Sequence, residues 1–162
     1  MSTGLLAFTL FHTAISLVAI VAGFVVVWGF IGSRWLKGWT DWFLTTTAAT
    51  SITGFFFPFH GLKPAHILGI IALVVLIPTF LALYRYRMAG HWRWIFVLGG
   101  VVSLYLNFFV LIVQAFQKVP ALHALAPTQS EPPFQVAQIA ALVLFIVLGV
   151  LSLRRFRVVG AM

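Results

Sequence analysis

The sequence predicts an all-α integral membrane protein: one bundle of five transmembrane helices, with the N-terminus outside and the C-terminus inside. Three observations predict it. The chain is 62% hydrophobic and only 7% charged, whereas a soluble domain is about half apolar and about a quarter charged. Its apolar stretches are long and continuous, and each approaches the ~20 residues that a helix needs to cross a bilayer. Eight of its ten Lys and Arg residues fall at alternate ends of those stretches.

The first span covers residues 4–33 and contains no charged side chain. At ~1.5 Å per residue it exceeds a ~30 Å hydrocarbon core, so it tilts or emerges. It is too long for a signal-peptide core and carries no basic residue before it, so it reads as a mature helix. The second span covers 42–59, the third 64–84, the fourth 94–117 and the fifth 134–153. Barrel strands would be shorter and would alternate polar with apolar. A helix satisfies its own backbone hydrogen bonds in lipid, which is why these runs can span. Between Lys118 and Pro133 there is room for a short interfacial helix and a turn, with Pro132 and Pro133 suited to an extended approach to the last span or to its first turn. No repeat or second domain is visible, so residues 1–162 form a single bundle.

Arg34 and Lys37 lie in the first gap, Arg85, Arg87 and Arg93 in the third, and Arg154, Arg155 and Arg157 in the tail. Positive charge is retained on the cytoplasmic side, so this end faces inward. Trp35, Trp39, Trp42, Trp92 and Trp94 fall at the same boundary, where indole rings favour the interface. The formal charge of +8 therefore orients the chain and attracts anionic lipid rather than nucleic acid. The spans are compatible with a homo-oligomer or a partner in a larger membrane complex.

Polar and small residues recur at helical steps. His12, Ser16, Ala19 and Gly23 form one stripe, Gly99, Ser103, Asn107 and Gln114 a second, and Gln138, Ala141, Gly149 and Ser152 a third. Small residues let helices approach and polar ones bond across the contact, so these stripes face other helices. Thr46, Thr50 and Thr53 share a face of the second span, and Pro78 should kink the third near Val74.

Cysteine is absent, which removes thiolate chemistry, and the only acids, Asp41 and Glu131, lie outside the spans. Carboxylate-coupled transport has no residue to act through. No phosphate loop, dinucleotide turn or nucleophile elbow occurs, so no catalytic residue is assigned and a non-enzymatic protein is expected.

Chemistry falls to the histidines. His12, His60, His66 and His123 all belong to the outer side, and His12 sits within a span, where an ionisable group is a functional candidate. One reading is haem b held by His12 and His66, with Gly69 clearing room for the porphyrin and Lys63 or Lys118 meeting propionates. A second is a divalent metal on His12, His60, His66 or His123, since zinc accepts three or four imidazoles. The plainest is structural: His12 bonds a neighbouring helix at Gln114 or Asn107, and the others bond loop carbonyls. Asn107 and Gln114 are likewise either helix–helix bonds or contacts for a quinone, lipid headgroup or small substrate.

Three segments, Phe11–Ser16, Gly54–Gly61 and Ala126–Phe134, give the chain a resemblance to small multi-helix bacterial inner-membrane proteins of uncharacterised activity. The resemblance implies a multi-pass inner-membrane location and carries no ligand or site residue.

Overall fold

A computed structural model describes residues 3–57 and 64–157. Helix α1 runs Thr3–Ile31, α2 Lys37–Thr53, α3 Pro64–Phe80, α4 Trp92–Lys118, α5 Pro120–Leu125 and α6 Pro132–Arg155. No strand occurs among the described residues. Four helical segments are long and apolar enough to cross a membrane: Thr3–Ile31, His66–Arg85, Trp92–Lys118 and Pro132–Arg155. Helix α2 is shorter, at 17 residues, and is followed by a single 3₁₀ turn at Gly54–Phe56. It begins five residues before the expected second span because Lys37 to Asp41 continue its first turns.

The apolar surface points outward. Only 22% of the most apolar stretch of α6 and 44% of that of α1 is buried inside the protein. Trp28, Val74, Ile77, Val136 and Ile146 are all more than half exposed. A water-soluble fold would bury such groups, so the arrangement suits a hydrocarbon solvent.

The long helices alternate in direction, as contacts along them show. His12 meets Thr53 while Gly23 meets Phe43, so α1 and α2 are antiparallel. Asp41 meets Tyr84 while Ser51 meets Gly69, which sets α2 against α3. Thr79 faces Gly99 across α3 and α4, and Phe116–Phe134 with Val101–Gly149 align α4 against α6. The sequence α1–α2–α3–α4–α6 closes into a ring by contact of α6 with α1, and α4 also packs across the ring on α1.

One end of the bundle gathers the basic residues. Ser33 and Arg157 exchange hydrogen bonds, Arg93 donates to the Phe156 carbonyl, and Lys37 pairs with Asp41 at 2.7 Å. The core is densest in this half: Phe30 packs edge-on against Phe96 and tilted against Phe156, and Phe43, Leu44, Val97 and Leu104 are buried beside them. The three small-residue stripes face helices as expected. Ala19, Ser103 and Ser152 are fully buried.

Proline shapes the end of α3. Pro78 removes one backbone donor, and Thr79 Oγ1 returns a bond to the Val75 carbonyl at 2.7 Å. The chain then widens into a π turn at Leu81–Arg85. Met88 N–H closes the end on the Ala82 carbonyl, with Arg87 and Met88 both at positive φ, and Tyr86 stacks on Trp92 at 3.9 Å. After α4, α5 is the short helix expected beyond Lys118, and α6 begins at Pro132. Glu131 just before α6 accepts bonds from the Thr128 and Ser130 backbone N–H groups, which fixes the approach.

Gly99 is the tightest contact. A Cβ added there would run into Thr79 Oγ1 and lie 3.0 Å from Thr79 Cβ. Gly99→Ala should destabilise the bundle by about 1–3 kcal/mol, the usual effect of overpacking. Thr79→Ala in the same chain should restore part of that loss. Reversible unfolding in detergent across the double-mutant cycle measures both; additive effects would show that the helices do not meet there.

Candidate functional site

The stripes of α1, α2, α3 and α4 that are sealed at the basic end separate toward the other end and enclose a cavity of about 470 Å³. Its walls follow from helical spacing. His12, Ser16 and Ile20 lie on one face of α1; Thr50 and Ser51 come from α2; His66, Gly69 and Ala72 lie on one face of α3; Asn107, Leu111, Gln114 and Lys118 descend α4. His12, His66, Gln114 and Lys118 line the part of the cavity farther from the basic end, and Ile20, Ala72 and Leu106 form the apolar floor. Leu17 lines the cavity while remaining 47% exposed, so the cavity opens sideways along α1.

Hydrogen bonds fix the walls. His12 Nδ1 lies 2.8 Å from Thr53 Oγ1, whose own proton goes to the Ala49 carbonyl at 2.7 Å. Thr53 has one proton, so Nδ1 is the donor in the first bond. That leaves Nε2 of a neutral His12 as the acceptor nitrogen. Ser16 Oγ donates to the His12 carbonyl at 2.7 Å and lies 3.4 Å from Thr50 Oγ1. Asn107 Nδ2 donates to Thr47 Oγ1 at 3.1 Å. Phe57 packs its ring against that of His12, and Phe55 lies nearly parallel to His66 with centroids 6.0 Å apart.

The structure thus brings His12, His66, Asn107, Gln114 and Lys118 around one cavity, although they come from three helices. His123 on α5 is outside its lining, and His60 and Lys63 lie outside the described residues. Among the described residues no three His, Asp or Glu side chains come together as metal ligands. One expectation changes. His12 bonds Thr53 rather than Gln114 or Asn107, because the short α1–α2 connection holds α2 closest along α1. Gly69 lines the cavity, with the Phe55 ring 3.2 Å from where its Cβ would stand. Thr47 and Thr53, the partners that orient Asn107 and His12, carry no site signal of their own; only their helical register with Thr46 and Thr50 marks that face.

Comparison with protein-family models, curated proteins and solved structures returns no match to this chain.

The Asn107–Thr47 bond is testable as a structural contact. A double-mutant cycle with Asn107→Leu and Thr47→Val should give a coupling of about 0.6 kcal/mol, the average for polar pairs between membrane helices. Unfolding in mixed micelles reads it, and zero coupling would remove the bond.

Proposed function

We propose that this chain is a non-enzymatic, five-span protein of the bacterial inner membrane, N-out and C-in, that binds a ligand in the cavity between α1, α2, α3 and α4. The observation that carries the ligand reading is the convergence of two imidazoles, two side-chain amides and one ammonium on a largely apolar cavity of about 470 Å³. Ligand sites are concave and mostly apolar, with a few placed polar groups and volumes of roughly 300–1,000 Å³.

The orientation is supported by the gathering of Arg34, Lys37, Arg85, Arg93 and Arg157 at the other end, where Trp28, Trp39, Trp42 and Trp94 are exposed. Anionic lipids are the natural partners of that face. Helix α2 reaches far enough to be the fifth span. Its 17 residues at ~1.5 Å and its 3₁₀ turn of three residues at ~2.0 Å give about 31 Å.

A second reading, haem b, is favoured by one detail. His12 Nδ1–H is held by Thr53, which turns the Nε2 lone pair free as an axial ligand, and His66 lines the same cavity. The Phe55 ring over Gly69 weighs against it.

Purification from its own membrane tests these readings. A single small molecule should accompany the wild type and be lost from Leu17→Trp and Ala72→Phe, with helical content unchanged by circular dichroism. A wild type that carries no molecule overturns the ligand reading. The absence of a Soret band after expression with ample haem removes the haem reading. Reporter fusions should place the C-terminus inside; a C-terminal tag reachable only from outside overturns the orientation.

A further inference from the structure

Resting on the reading of this cavity as a ligand site, we infer that its occupant is a single-chain amphiphile with an anionic headgroup, entering sideways from the bilayer. Three features of the walls select it. The first is the distribution of polarity. His66, Gln114 and Lys118 sit near the ends of α3 and α4, with Thr9 and His12 in the first half of α1, whereas Leu17, Ile20, Ala72, Leu106 and Leu111 continue below them among the fewer polar groups Ser16, Thr50, Ser51 and Asn107. A wholly polar solute would leave the lower apolar walls unused, and a hydrocarbon would leave the Gln114 amide and the Lys118 ammonium unmatched.

The second feature is charge. Lys118 is the one charged residue in the lining, and among the described residues no carboxylate joins it. A divalent cation finds an ammonium and no acidic ligand there, while an anion finds a counter-charge. Gln114 on the turn before adds a donor. Neutral His12 presents Nε2 as an acceptor, because Nδ1–H is committed to Thr53. A carboxyl headgroup matches this nitrogen in either form: the acid donates its proton to Nε2, or the imidazolium donates from Nε2 to the carboxylate. One proton is shared, and the Thr53 bond is kept in both.

The third feature is access. Leu17 and Thr13 line the cavity and are exposed on the outer surface of α1, the side that meets lipid in the membrane reading. The opening therefore faces acyl chains, and the volume suits one chain rather than two. A lipid phosphate and a fatty carboxylate share the required chemistry of a negative head on one tail.

The full-length chain in phosphatidylcholine nanodiscs, photolabelled with a diazirine-bearing palmitate, tests the inference. Adducts should map to cavity residues such as Leu17 and Leu111, and oleate should compete about tenfold better than oleyl alcohol. Lys118→Gln should cut labelling by about threefold to tenfold, as expected for one partly screened charge-assisted bond. Lys118 is exposed, so this variant should fold as the wild type does. Competition by lysophosphatidylglycerol as strong as by oleate assigns a lipid phosphate; competition by oleate alone assigns a carboxylate. Equal competition by oleyl alcohol, or unchanged labelling of Lys118→Gln, overturns the anionic head. Adducts confined to lipid-facing α6 residues such as Val143 and Ile146 overturn the amphiphile. Neither of the last two results removes a molecule that co-purifies and is lost from Leu17→Trp, so the broader reading fails separately.

Discussion

The close approach of α4 to α1 and α3 is the constraint on which the other contacts depend. In lipid, helices gain nothing from withdrawing apolar surface from water, so packing and hydrogen bonds must hold them. Gly99 lets Thr79 seat directly on the α4 backbone, and Gly23 leaves room for Leu104 and the Phe43 ring, which would lie 2.6 and 2.8 Å from a Cβ. Without these two absent side chains α4 could not pack across the ring onto α1 while also meeting α3. The buried aromatic cluster of Phe30, Phe43 and Phe96 would then have no common centre.

That constraint acts on one half of the bundle only. Gly23 and Gly99 both lie in the half nearer the basic end, where the helices are drawn together. Toward the other end α1 and α4 present Ser16, Leu17, Asn107 and Val110 to each other without interlocking glycines. The space between them is the cavity. Its position thus follows from where small residues stop, and its polarity from what replaces them. Most polar groups that face the gap from α1 or α2 are tied to a neighbour: Thr9 to the Leu5 carbonyl, His12 to Thr53, Ser16 to the His12 carbonyl and Ser51 to the Thr47 carbonyl. The walls are therefore set before any ligand arrives, which lowers the ordering cost of binding.

Much of this was legible in the residues. The long helices, the short helix after Lys118, the start of α6 at Pro132 and the inward faces of the stripes all follow from apolar length, proline placement and three- and four-residue spacing. The choice of His12, His66, Asn107 and Gln114 follows from their being polar groups in or beside spans. What spacing could not convey was which helices touch. The His12–Thr53 and Asn107–Thr47 pairs depend on helix order and relative height, as does the Phe55 ring over Gly69. Periodicity fixes a face of one helix, whereas a contact needs two faces in register. For the same reason α2 was legible as a helix while its start at Lys37 was not. With 17 residues and six buried positions, four of them Thr or Ser, its composition reflects neighbours more than lipid.

Helix α2 also explains why the polar groups cost the fold little. Its Thr and Ser hydroxyls return their protons to its own carbonyls: Thr40 to Leu36, Thr46 to Trp42, Ser51 to Thr47 and Thr53 to Ala49. The Thr53 oxygen then remains as an acceptor turned toward α1, already satisfied as a donor. The incoming His12 Nδ1–H is oriented by it without leaving the Thr53 proton unmatched, and the Thr47 oxygen accepts Asn107 Nδ2–H from α4. The donor's remaining valence is directed away from α2. For His12 that valence is Nε2, on a ring that lines the cavity. Helix α2 thus supplies the hydroxyl acceptors that orient His12 and Asn107 at the walls of the cavity.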